Sequence, residues 1–202
     1  MPAPEPGERW GVLGGVFDPV HIGHLTLARD VLRVRRLNGV LLVPTYQPPH
    51  RSELPAAAFE DRVAMLKLAV QGETALEISR IEESTPRPSY SLETVRALKH
   101  LYPGVEFGFI IGADNLCQLQ TWHQWRVVLQ EVKLIVGCRP GARIDNLCDL
   151  PLDRIDFVES SMVDVSSTHV RNRIKGGVTR EQLATLVPGE VADYILQRKL
   201  YR

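Results

Sequence analysis

Two histidines, His21 and His24, stand three positions apart with Ile22 and Gly23 between them, just after Asp18-Pro19 and the glycine pair Gly14-Gly15. At helical spacing the two side chains share one face, so both imidazoles can reach the same anion. Glycines at a strand-to-helix turn let the backbone approach a ligand with no Cβ in the way. The helix that follows offers unpaired N–H groups and the positive end of its dipole. The run from Gly11 to Leu25, G-V-L-G-G-V-F-D-P-V-H-I-G-H-L, therefore predicts a strand-turn-helix phosphate site, with Gly23 leaving room for a flat base or a ribose. It is neither the dinucleotide pattern G-x-G-x-x-G nor a P-loop, which needs Gly-Lys-Ser/Thr.

Positioning such a site falls to the elements around it. An apolar strand from Trp10 to Leu13 leads into the turn, and Leu25, Ala28, Val31, Leu32 and Leu37 recur at helical spacing after it. Arg29, Arg33, Arg35 and Arg36 lie mostly on the other side, which reads as a solvated face. Val40 to Val43 suits a buried parallel strand stopped by Pro44. The segment 45–58, with Pro48, Pro49, His50, Arg51 and Pro55, breaks every regular pattern and is placed to cover the phosphate site with positive charge. Further periodicities predict a helix from Phe59 to Val70, a strand from Leu76 to Ser79 and a helix from about Ser91 to Leu101, capped by Ser89 or Ser91. A strand from Val105 to Ile111 then turns at Gly112-Ala113-Asp114. A helix opens at Trp122, strands follow at Lys133 to Gly137 and Ile155 to Val158, and a basic helix spans Thr168 to Lys175. Two short helices, Arg180 to Leu186 and Pro188 to Lys199, finish the chain. Alternating strands and helices imply a single α/β, Rossmann-like, doubly wound domain over 9–202 with a parallel sheet and a small helical C-terminal extension. Ligands of such sheets bind beyond the carboxyl ends of the strands, where strand order reverses. Gly14-Gly15, the segment from Pro44 to Arg51, Gly112 to Asp114 and Ser166 to Arg171 all follow strands at that edge.

Composition narrows the class. The chain has 202 residues, 24 Lys plus Arg against 24 Asp plus Glu, so no basic field advertises nucleic acid and any phosphate must be held by local charges. Residues 1–8 are Pro- and Glu-rich and predict a disordered tail rather than a leader. No apolar run approaches a membrane span, so no membrane partner and a cytoplasmic location are expected. Cys117, Cys138 and Cys148 lack C-x-x-C spacing and read as reduced thiols rather than a zinc site.

Eight motifs in order carry a resemblance: G-G-V-F-D-P-V-H-I-G-H-L, P-P-H-R at 48–51, D-R-V-A-M-L at 61–66, S-Y-S-L-E-T-V at 89–95, I-I-G-A-D at 110–114, W-H-Q-W at 122–125, C-R-P-G at 138–141 and V-S-S-T-H-V-R at 165–171. On these the chain resembles the bacterial nicotinate-nucleotide adenylyltransferases of the H-x-G-H nucleotidylyltransferase superfamily, over nearly its whole length. The resemblance implies transfer of AMP from ATP to nicotinate mononucleotide, giving deamido-NAD and pyrophosphate. It assigns catalysis to His21, His24 and Arg171. ATP would lie against Gly14, Gly15, Val16, Phe17, His21, Gly23, His24, Gly112, Asp114, Arg139, Ser167, Thr168 and Arg171. Nicotinate mononucleotide would meet His50, Arg51, Ser91, Trp122 and His123, with Trp122 stacked on the pyridine ring and Trp125 left to the core. Mg²⁺ would arrive with ATP, held by phosphates and water rather than by protein side chains alone, and a homo-oligomer is left open. Val16 departs from the usual Thr or Ser of the turn, Arg51 from the usual Lys after P-P-H, and Ser91 from Thr. Rival readings are a related transferase using nicotinamide mononucleotide or phosphopantetheine as acceptor, and a non-catalytic nucleotide- or RNA-binding module.

Overall fold

The strands expected from the apolar runs are β1 (Arg9–Gly15), β2 (Gly39–Pro44), β3 (Leu76–Ile78), β4 (Glu106–Gly112), β5 (Lys133–Cys138) and β6 (Ile155–Glu159) in this computed structural model. It describes residues 3–49, 54–139, 141, 150–161 and 163–202. The helices are α1 (Ile22–Arg35), α2 (Phe59–Ala69), α3 (Ser91–Leu101), α4 (Ala113–Leu116), α5 (Trp125–Glu131), α6 (Ser167–Lys175), α7 (Arg180–Leu183) and α8 (Gly189–Gln197).

The strands form one sheet in the order β3-β2-β1-β4-β5-β6, and every pairing is parallel. Because successive side chains of a strand point to opposite faces, β2 sends Val40 and Leu42 to one core and Leu41 and Val43 to the other. The first core takes the apolar stripes of α1, α2, α6, α7 and α8, and the second takes those of α3, α4 and α5. The C-terminal helices are thus built into one layer: Val191, Ala192 and Ile195 of α8 are buried there, and the Tyr194 hydroxyl donates to Asp61 of α2 at 2.8 Å. Strand order reverses between β1 and β4. Register sets Gly15 beside Pro44 and Gly112 beside Gly137, so the carboxyl ends of the central strands lie at one edge.

Several local expectations are corrected. Residues 3–8 are held rather than frayed: Gly7 N–H donates to the Gly104 carbonyl at 2.9 Å, Glu106 N–H to the Glu8 carbonyl at 2.9 Å, and the Glu8 carboxylate accepts from Trp10 Nε1 at 2.8 Å. Backbone pairing beside β4 supplies what the segment's composition lacks. Gly112 ends β4 rather than opening a turn, and Ala113 and Asp114 begin α4. Tyr90, not a serine, occupies the cap of α3, because the buried Ser89 hydroxyl is occupied by the backbone N–H of Gln47 at 3.1 Å. Trp122 precedes α5, which starts at Trp125. The arginines of α1 are not simply solvated: Arg29 pairs with Glu73 at 2.6 Å, and Arg35 with Asp156.

Candidate active site

The turn after β1 brings the two imidazoles together. His21 caps α1 in an extended conformation, and its backbone N–H donates to His24 Nδ1 at 3.2 Å. An Nδ1 that accepts leaves the proton of a neutral imidazole on Nε2. The rings stack with centroids 3.6 Å apart and planes inclined by 21°. Two charged rings at that separation would repel, and burial already disfavours charge. Burial holds the His21 pKa down at about 4, and burial followed by the His21 ring holds His24 well below the ordinary range. The pair is therefore uncharged near neutral pH and offers N–H donors rather than cations. Phe17 meets the His24 ring edge-on at 4.9 Å. It is fully buried yet has φ of 50°, a left-handed backbone rarely adopted by a bulky residue and maintained by its surroundings.

The second constellation arrives at the same turn from more than a hundred residues away. Ser167 Oγ donates to the Pro19 carbonyl at 2.9 Å, and Arg171 Nη1 to the Asp18 carbonyl at 2.7 Å. Arg171 Nη2 also donates to Thr168 Oγ1 at 3.1 Å, fixing the guanidinium over the first turn of α6. A Cβ on Gly23 would come within 3.1 Å of both His21 Nδ1 and Val165 Cγ1, so the helix starts of α1 and α6 are in contact there. Neither helix has an acidic residue in its first turn, which leaves two positive dipole ends for an outside anion. The donors differ from the expectation that α1 alone would present its N–H groups. Ile22 N–H is taken by the Leu186 carbonyl at 3.0 Å and His24 N–H by the His21 carbonyl at 3.0 Å.

Three residues that sequence reasoning gave no role hold this arrangement. Asp18, 1% exposed, accepts Ala56 N–H at 2.8 Å, Ala57 N–H at 3.0 Å and the Tyr201 hydroxyl at 2.9 Å. Arg62, also 1% exposed, donates to the Val16 carbonyl at 2.7 Å and the Thr45 carbonyl at 2.8 Å, tying the exits of β1 and β2 together. A signal for Arg62 existed: it lies on the same helical face as Met65, Leu66 and Ala69, where only a partnered charge is tolerated. The buried Glu82 accepts from Tyr46 N–H at 3.0 Å and from Thr94 Oγ1 at 2.8 Å, and burial raises its pKa.

On the other side of the glycines lies an aromatic group. A Cβ on Gly14 would press on Phe109 Cζ at 3.2 Å, and the Phe109 ring in turn stands edge-on to Trp122 at 6.0 Å. Trp122 is half-buried, whereas Trp125 is buried in the second core. Tyr90 stacks on the exposed His123 at 4.2 Å, beside Ser91 at the start of α3. Of the other expected contacts, Asp114 is exposed on α4, and Arg139, just after β5, pairs with Asp164 at 2.9 Å. His50 and Arg51 lie outside the described residues, as does Cys148. Cys138 is buried and Cys117 exposed. Among the described residues no three His, Cys, Asp or Glu side chains gather to hold a metal, and no helix is long and apolar enough to cross a membrane.

The cytidylyltransferase-like family matches residues 12–173, from β1 through the α6 arginines. A probable nicotinate-nucleotide adenylyltransferase of Symbiobacterium thermophilum is 38% identical over 200 residues, covering 96% of this chain and 95% of that protein. Its counterpart in Rubrobacter xylanophilus is 39% identical over 201 residues, covering 96% of this chain and 92% of its own. The chain belongs to the nicotinate-nucleotide adenylyltransferase family. The fold agrees: the Plasmodium falciparum nicotinic acid mononucleotide adenylyltransferase, solved with NaAD, superposes with a TM-score of 0.79 at 17% identity, covering 96% of this chain and 97% of that one. Within this adenylyltransferase family framework, the two-helix cradle and the aromatic group lie on either side of the β1 glycines.

Proposed function

We propose that the chain transfers AMP from ATP to nicotinate mononucleotide, releasing pyrophosphate and forming deamido-NAD. The observation that carries this reading is the docking of Ser167 and Arg171 onto the Asp18-Pro19 turn beside the stacked imidazoles. A triphosphate laid across both helix starts would meet hydroxyls, a guanidinium and two neutral N–H donors at once. Trp122 offers a face for the pyridine ring, and the Ser91 hydroxyl with nearby backbone N–H groups suits a carboxylate.

The chemistry asked of the protein is modest. An ionised 5′-phosphate oxygen of the mononucleotide attacks the α-phosphorus, the bond from that phosphorus to the bridging oxygen of the β-phosphate breaks, and pyrophosphate departs with the electron pair. The attacking group carries its own charge, so no general base is required. Catalysis is positioning and stabilisation of charge on the transferring group and the leaving pyrophosphate. His24, with its proton fixed on Nε2, and His21 act as preorganised donors, while Arg171 supplies the full positive charge. Asp18 already accepts three protein donors, so the residues fit a metal carried in on the phosphates rather than one resident on carboxylates. Mg²⁺ bound to ATP would add neutralisation of the leaving pyrophosphate.

The test is pyrophosphate release with ATP and Mg²⁺, run in parallel with nicotinate mononucleotide, nicotinamide mononucleotide and phosphopantetheine. Release is expected with the nicotinate nucleotide in preference to the other two. A preference for either rival acceptor overturns the substrate assignment, and no release with any acceptor overturns adenylyl transfer.

A further inference from the structure

Beyond the helix layer, the segment after α8 reaches back to the centre of the site. Lys199 and Tyr201 both adopt left-handed backbone, with φ of 54° and 65°. Neither is glycine, so this geometry costs free energy and persists only where the surroundings hold it. Its result is a tyrosine that is 8% exposed, with its hydroxyl 2.9 Å from Asp18 Oδ1. Burial, with the Asp18 carboxylate beside it, keeps the phenol protonated and hence a donor.

What this donor does follows from its competitors. Asp18 Oδ2 lies 3.9 Å from Arg171 Nη1, beyond hydrogen-bond distance, although the same nitrogen already donates to the Asp18 carbonyl at 2.7 Å. A carboxylate this close to a guanidinium would ordinarily close onto it in a charge-assisted pair. Here Ala57 N–H and Tyr201 hold Oδ1, and Ala56 N–H holds Oδ2, so the carboxylate is turned away. Among the described residues the ion pair of Arg171 with Asp18 is thus an open one, at 3.9 Å.

We propose that Tyr201 is a positioning residue for nucleotide binding: by holding Asp18 it prevents a closed Asp18–Arg171 ion pair and keeps the Arg171 guanidinium available to the triphosphate. This rests on the adenylyl-transfer reading for its ligand. Removing the hydroxyl releases one of the three donors on Asp18, lets the carboxylate rotate onto Arg171, and sets the protein's own anion in competition with the nucleotide.

The experiment compares wild type, Tyr201→Phe, Arg171→Lys and the double variant by calorimetric binding of a non-hydrolysable ATP analogue with Mg²⁺, alongside steady-state kinetics and thermal melts. Tyr201→Phe is expected to weaken analogue binding about tenfold, the low end of the scale of one hydrogen bond to a charged group. The KM for ATP should rise by a similar factor while the acceptor KM stays within about twofold. In the Arg171→Lys background, where the fixed guanidinium is gone, Tyr201→Phe should add nothing, because the two residues act through one contact. Unchanged analogue affinity in Tyr201→Phe, or an equal loss in both backgrounds, overturns the inference. Loss of the cooperative melt in Tyr201→Phe also overturns it, since Tyr201 would then be a stability residue. A wild-type chain that binds the analogue but releases no pyrophosphate refutes the proposed reaction while leaving the binding comparison decisive. One that fails to bind refutes both.

Discussion

Replacing Gly23 with alanine tests the contact between the two helix starts with a single methyl group. The added Cβ would lie 3.1 Å from His21 Nδ1 and 3.1 Å from Val165 Cγ1. Each contact is a few tenths of an ångström too short, so one or both neighbours must give way. His21 cannot retreat freely, because its ring is stacked at 3.6 Å on His24 and buried. For stability, a gain of about 1 kcal/mol in helix propensity opposes about 1–3 kcal/mol of overpacking, a net cost between about zero and about 2 kcal/mol. In a chain of this size the upper end lowers the melting temperature by about 4–8 °C, since 1 kcal/mol corresponds to about 2–4 °C. Catalysis is more sensitive: misplacement by about 1 Å can cost about 10²-fold, so a shift of a few tenths should lower kcat by about three- to tenfold. The assay is pyrophosphate release at saturating substrates, paired with a thermal melt. A Gly23→Ala protein with kcat within twofold of wild type and an unchanged melt would refute the claim that the His21 ring is packed in its working position.

His21→Ala should lower kcat by about 10² or more, the scale of losing one preorganised donor, and kcat within threefold of wild type would remove His21 from the mechanism. Trp122→Ala should raise the KM for the mononucleotide more than that for ATP, and equal effects on both would count against ring stacking. A histidine held at a pKa of about 4 in the folded chain and 6.5 when unfolded binds protons more readily unfolded, so its burial destabilises as pH falls from about 6.5 toward 4. That difference is worth up to about 3 kcal/mol. Thermal melts should therefore weaken over that window, and His21→Asn should flatten the dependence. An unchanged slope in the variant would mean that the His21 ring is not held uncharged.

Much of this was legible before any coordinates. The continuous apolar run Val40 to Val43 marks a strand covered on both faces, and the spacing of His21 and His24 makes them neighbours once a helix follows. The meeting of Ser167 and Arg171 with the first turn follows from parallel strands sharing one edge, and the hydrogen bonds to Pro19 and Asp18 bear it out. Less visible was which polar groups are already taken. Ile22 N–H faces a possible ligand by local rule but meets Leu186, and Ser89 looks like a cap but meets Gln47. Those partners come from tertiary packing across tens to more than a hundred residues, where no local pattern reaches. The part played by Asp18 was hidden for the same reason: its partners at 56, 57 and 201 come from separate segments.

The uncharged state of the stacked imidazoles has a further consequence for turnover. With most of the attraction divided between two helix starts and one guanidinium, a long polyanion spanning all three is gripped, whereas a short one reaches only a fraction of them. Inorganic phosphate should therefore be a poor competitor, and pyrophosphate, once severed from the nucleotide that spanned the cradle, is free to diffuse away.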